Sequence, residues 1–310
     1  MKDKLISFIF NNFPYRTLLF LYPKYMKLRK GKIYKKVLQY IENDDNTEIK
    51  AIVNDFRKVG YLKFFYGDWT KKYEKSDYPI DLRKRNGSFY INHKLYNGKI
   101  KKLYMPLGKG PGNCKLYYQS LLLDQDINSP HRYLLEDNYN YIKSLHGTVL
   151  DLGAAEGNFT LEMEELSDRI YCFEPDENMK YALTKTISPF NSKVTIVSKY
   201  VGDEIDVKNN ITSIDGYFEN DIPKDISVIK MDIEGFEQAA LRGMKRTLEA
   251  NPQAVLLICA YHQPQAEAEI RDILESMGYT VTARKGYMFF HEFDNFIEPY
   301  YRRGVLEARK

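Results

Sequence analysis

The chain has 310 residues, 44% hydrophobic and 28% charged, the composition of a globular protein with room for one large core and a smaller second unit, which excludes a disordered or fibrous chain. Charge is unevenly placed: residues 1–110 hold 25 Lys/Arg against 10 Asp/Glu and the remainder 21 against 32. The basic first segment therefore asks for an anionic partner.

At the start, Asn11, Asn12, Pro14 and Arg16 interrupt the apolar residues, which does not read as a secretory signal. No apolar run approaches the roughly 18 residues that cross a bilayer. The three cysteines, Cys114, Cys172 and Cys259, are an odd and widely spaced set, and two lie in apolar runs. They read as free thiols in a reducing, cytoplasmic setting. Residues 11–32 mix aromatic rings with lysines and arginines, a composition suited to peripheral contact with an anionic membrane, here the inner membrane face, rather than to nucleic acid. From Ile33 to Lys58 helical spacing runs in two pieces with a polar break. From Asn86, "NGSFYINHKLYNGKIKKLYMPL" alternates aromatic and polar residues around two Asn-Gly pairs, a strong hairpin signal. Residues 1–114 are thus expected to form a basic α+β cap and residues 115–310 the main domain.

From Thr148 the chain alternates strands and helices. "TVLDLG", "RIYCFEP", "KVTIVSKYV", "SVIKMDIEG" and "AVLLICAY" read as strands, separated by helices of ten or so residues. This predicts an α/β fold, Rossmann-like and doubly wound, with a mostly parallel sheet. "YTVTAR", Lys285-Gly286 and "YMFFHEF" read as a closing hairpin, which would make the last of seven strands antiparallel. Ligands in such sheets bind beyond the carboxyl ends of the strands, where "DLGAAEGN" lies. A dinucleotide fingerprint would need glycine at Ala155 and Asn158, and a phosphate loop would need Gly-Lys-Ser/Thr. Neither is present, which argues against a nicotinamide oxidoreductase. Glu174, ending the second strand 21 residues after Gly153, suits a pair of ribose hydroxyls, and the open loop suits a zwitterionic tail.

In order, "VLDLGAAEGNF", "CFEPDENMKYAL", "SIDGYF", "VIKMDIEGFEQAALRGM" and "AVLLICAYHQPQ" resemble the blocks of the FkbM family of S-adenosylmethionine-dependent methyltransferases. The resemblance covers about residues 145–265 strongly and the C-terminal hairpin more loosely, and does not cover the first hundred or so. It implies a class I methyltransferase fold with an antiparallel seventh strand, S-adenosylmethionine as cofactor, and O-methylation of a sugar or glycan hydroxyl or, alternatively, of a natural-product scaffold. A non-catalytic methyltransferase-like scaffold is the reading of another class. Asp151, Gly153, Ala154, Glu156, Gly157 and Asn158 would form the loop around the methionine part, Glu174 would hold the ribose, and Asp203 would reach the adenine amino group. On the acceptor side, His262 is placed to take a proton. Asp232 and Glu234 would orient the hydroxyl, act as base, or give oxygens to Mg²⁺. Tyr300, Tyr301, Arg302 and Arg303 have the chemistry to stack on sugar rings and pair with acidic groups.

Overall fold

The computed structural model describes residues 14–75, 78–291 and 296–310. The long helix α1 (Tyr15–Glu42), the first among the described residues, buries Tyr15, Leu18, Met26, Val37 and Ile41, a stripe at helical spacing. Its polar break, residues 43–46, ends in Asn46, whose side chain accepts the amides of Glu48 and Ile49 and so starts α2 (Thr47–Val59). Gly60, left-handed at φ 71°, closes α2. With α3 (Pro111–Asp124) and residues 284–304, these helices make one of two compact units, drawn from the chain up to Leu82, Gly108–Arg132 and Arg284–Gly304. Its core joins Met26, Ile41, Ile49, Phe56 and Leu62 to Phe289, Phe296 and Tyr300.

The second unit takes Arg83–Leu107, Tyr133–Ala283 and Val305–Lys310. The division is therefore discontinuous and does not fall at residue 114. Strands β1 (Leu82–Arg85), β2 (Ser88–Lys94) and β3 (Ile100–Tyr104) form a small sheet. Its first turn has Asn86 at φ 48° and Gly87 at φ 79°, as a type I′ hairpin requires. The expected hairpin is present, but it belongs to this unit: Ser88 Oγ lies 2.6 Å from the Tyr181 hydroxyl, and Lys101 Nζ lies 2.7 Å from Glu164.

After α4 (Glu136–Leu145) come β4 (Thr148–Leu152), α5 (Asn158–Met163), β5 (Arg169–Phe173), α6 (Glu177–Ile187) and β6 (Val194–Val197). The apolar run after β6 breaks there, and its end, β7 (Tyr200–Val201), pairs instead with β8 (Ile211–Thr212). Then follow α7 (Ile214–Phe218), β9 (Ile226–Met231), α8 (Glu237–Arg242), α9 (Lys245–Ala250), β10 (Val255–Cys259), α10 (Ala266–Ser276), β11 (Thr280–Ala283) and β12 (Val305–Arg309). The main sheet has seven strands in the order β11-β12-β10-β9-β4-β5-β6. All residues of β4, β9 and β10 are buried, which is why these strands read as mostly apolar runs rather than as alternations.

The antiparallel strand is β12, which pairs Leu256↔Ala308 on one side and Val281↔Ala308 on the other. The "YMFFHEF" segment does not supply it. In its described part Met288 bridges Arg302, and the Phe289 amide donates to the Phe64 carbonyl, both within the first unit. Phe289 is buried in that unit's core with Tyr287 packed against it, while the sheet takes the more distant Val305–Arg309 as its partner.

From β4 the chain builds outward through β5 and β6, then returns to place β9 on the other flank of β4. The crevice beyond the ends of β4 and β9 is thus the topological switch point of the sheet.

Candidate active site

Two turns meet at that crevice. The Asp232 amide donates to the Leu152 carbonyl at 3.0 Å. Gly153, at φ 78°, lies so close to the strand after β9 that a Cβ would stand 1.9 Å from the Asp232 carbonyl oxygen. No larger residue fits there, so the glycine joins the two loops. Gly157, at φ 91°, is similarly confined, a Cβ there meeting Leu183 at 2.8 Å, and it hands the chain to α5 at Asn158.

Beneath this turn runs a buried polar strut. Lys230, in β9, donates to the Gly153 carbonyl at 2.5 Å and lies 3.3 Å from Asp151 Oδ1. The other Asp151 oxygen accepts the Thr160 hydroxyl at 2.6 Å. Burial alone would push the lysine's pKa down, but Asp151 and then Asp232 hold it above its ordinary value. Asp151 is fully buried, so it braces the loop from below.

Glu174 holds the loop from the β5 side: one oxygen accepts the Ala155 amide and the other the Asp176 amide, each at 2.8 Å. One lone pair per oxygen remains. Burial raises this carboxyl's pKa, and the two amides work against the rise. Asn158 Oδ1 is buried with no hydrogen-bond partner among the described residues. Ala154 and Glu156 are buried in the same turn.

Across the crevice, Asp232 Oδ2 accepts the Tyr133 hydroxyl at 2.8 Å and Oδ1 the Tyr261 hydroxyl at 3.1 Å. His262 Nε2 is 3.5 Å from Asp232 Oδ1 and 3.7 Å from Glu234 Oε2, and Nδ1 is 3.0 Å from Glu237 Oε1. That Glu237 oxygen also accepts the Ile233 amide at 3.1 Å, which fixes the left-handed turn at Glu234 and Gly235. Burial opposes a charged imidazole, but Glu237 first, then Asp232 and Glu234, outweigh it and raise the His262 pKa. A histidine oriented by a buried carboxylate on one nitrogen, with the other facing acids, is the arrangement of a proton acceptor.

The structure therefore brings together Asp232, Glu234 and His262, and on the facing turn Gly153, Ala154, Glu156, Gly157, Asn158 and Glu174. Asp203 is not among them: it follows β7 outside the main sheet and lies 4.0 Å from Arg242. Tyr300, Tyr301, Arg302 and Arg303 belong to the first unit, where the backbone of Arg302 bridges Met288. Tyr300 is in the core, the Tyr301 hydroxyl donates to Asp44, and Arg303 pairs with Glu48 at 3.0 Å. Sequence reasoning missed Tyr133, Tyr261 and Glu237. Tyr261 sits beside His262 and Glu237 lies in the block after Asp232, so position was a signal for both; Tyr133 carried none.

Residues 43–281 match the Methyltransferase FkbM domain, well over half of the chain. The chain belongs to the FkbM methyltransferase family. Among solved structures, this FkbM member resembles an FkbM methyltransferase from Methylobacillus flagellatus KT (23% identity, TM-score 0.40), with 52% of this chain and 42% of that one covered. It also resembles a precorrin-6y C5,15-methyltransferase from Geobacter metallireducens (16% identity, TM-score 0.36, coverage 56% and 83%). A third similarity is to a Streptococcus mutans protein in complex with SAH (13% identity, TM-score 0.35, coverage 56% and 95%). All three superpose below a TM-score of 0.5, so the family assignment stands on the domain match. Among curated proteins there is no match.

Proposed function

We propose that this FkbM protein is an S-adenosylmethionine-dependent O-methyltransferase acting on a hydroxyl of a sugar or glycan. The observation that supports this reading is the joining of the two turns at Gly153 and Asp232, with the Glu174 carboxylate and an acid-flanked histidine on the same sheet edge. The cofactor's features fit the residues present: Glu174 keeps a free lone pair on each oxygen for ribose hydroxyls, and Asn158 Oδ1 is a buried acceptor awaiting a donor. Gly153 and Gly157 take positive φ and let the turn pack against Asp232 and Leu183, which shapes the loop around the cofactor's tail. When bound, S-adenosylmethionine supplies an electrophilic methyl group. The chain's own task is then to hold the acceptor in line and to take its proton.

His262 takes that proton at Nε2, with Glu237 holding Nδ1, and Asp232 orients the hydroxyl while Tyr133 and Tyr261 hold the carboxylate in place. Glu234 flanks Nε2 from the exposed side of the turn. Phe236, about half exposed and two residues beyond Glu234, offers a ring to the apolar face of a sugar. Mg²⁺ on Asp232 and Glu234 suits the residues least. Among the described residues, two sets of ligand atoms converge within 4.8 Å of one another, Asp232 with Glu237 and His262 and Asp232 with His131 and Cys259, each a mixed set with nitrogen or sulfur rather than the oxygens and waters that Mg²⁺ prefers.

The test is calorimetry with S-adenosylmethionine. Glu174→Ala is expected to weaken binding, each charged hydrogen bond contributing roughly 1.5–3 kcal/mol, while the fold persists. Unchanged affinity overturns the cofactor assignment. Transfer of a labelled methyl group to glycan extracts, lost on periodate treatment, then tests the acceptor class.

A further inference from the structure

Helix α1 has a second face. No Asp or Glu occurs between Tyr15 and Ile41. Opposite the buried stripe, Lys24, Lys27, Lys32 and Lys35 are exposed on successive turns. Among them Phe20 is 63% and Leu28 89% exposed, and Lys24 Nζ lies 3.9 Å from the centre of the Phe20 ring. At Gly31 a Cβ would meet nothing within 4 Å, so this stretch of the helix lies open.

We propose that this outer face of α1 docks on an anionic lipid surface, with the lysines over the headgroups and Phe20 and Leu28 inserted at the acyl boundary. Charge complementarity calls for a polyanion, and the apolar residues select which one. A nearly fully exposed leucine finds no partner on a sugar-phosphate backbone, whereas at the headgroup boundary it is buried. Nucleic acid would instead ask for polar or stacking groups between the cations. The inference is independent of the methyl-transfer reading, since no residue of the crevice takes part.

Removing residues 1–32 would be a poor test, because α1 also supplies Leu18 and Met26 to buried packing. Exposed substitutions leave that stripe intact. In sedimentation with the full-length protein, binding is expected to equal-part phosphatidylcholine and phosphatidylserine vesicles, weakening as salt rises, and not to phosphatidylcholine alone. Lys24→Gln with Lys27→Gln is expected to weaken it about 25-fold, from ~1 kcal/mol per basic residue near an anionic surface. Phe20→Ser with Leu28→Ser is expected to weaken it several-fold with the charge unchanged. Absence of phosphatidylserine-dependent sedimentation, binding unaffected by either pair, or binding to duplex nucleic acid but not to vesicles would each overturn the proposal.

Discussion

His262 has a carboxylate near each nitrogen, and that fixes the direction of its pH response. Its pKa in the folded protein is raised above the ordinary 6.5. The stability it contributes is therefore fully present below about 6.5 and is lost as pH rises through the raised value. Proton acceptance needs the neutral ring, so turnover is expected to rise with pH through that same value. Glu237→Gln removes the largest of the raising interactions and should shift the acid limb of the rate profile to lower pH, leaving S-adenosylmethionine affinity unchanged; an unmoved limb would assign it to another group. His262→Ala should lower turnover roughly 10²- to 10⁴-fold, read against donor binding by calorimetry. Lys230 is a different kind of residue: its work is done inside the fold. Lys230→Met would leave Asp151 as an uncompensated buried charge, and denaturant unfolding is expected to show a loss of about 3–5 kcal/mol. Of these side chains, Asp232 and His262 were legible because each follows an apolar strand at the binding edge. Glu237 had only its place in the block after Asp232 as a signal, since its role exists only once the turn at Glu234 folds it back under His262.

At the scale of elements, the local signals in the chain were informative where one element satisfies itself. Asn86-Gly87 turns the hairpin because both residues accept positive φ, and Asn46 starts α2 by accepting two backbone amides. Asn46→Ala is expected to cost about 1 kcal/mol in thermal or denaturant unfolding, and Asn46→Asp to restore most of it. The run read as one strand from Lys193 to Val201 is two strands, because only its first part reaches the β5 edge while Tyr200 and Val201 pair with β8. Spacing alone cannot tell a continuing strand from one that changes partner. The closing hairpin failed for the same reason: alternation marks "YMFFHEF" as able to pair, and the partner it found was Arg302 within the first unit.

At the scale of the whole molecule, the main sheet is completed last. β11 leaves it at Ala283, the chain contributes residues 284–304 to the first unit, and β12 returns to lie between β10 and β11. Ending the chain after Gly304 would strip both neighbours of their ladder and bare Leu306 and Ala308, which belong to the sheet's core. Such a truncation is expected to lose its cooperative thermal transition by circular dichroism; a sharp transition near the full-length one would show that β12 is dispensable. The sequence by itself determined the parallel α/β order, the Gly153 turn and the carboxylate at Glu174, because strand burial, turn geometry and helix caps are set within a few residues. The tertiary structure alone decided that Tyr133 and Tyr261 hold Asp232, that Lys230 and Asp151 brace the Gly153 turn, and that Tyr300, Tyr301 and Arg303 are engaged inside the first unit. Those are contacts between residues dozens of positions apart or more, and their energies depend on burial and distance, which local sequence pattern does not encode.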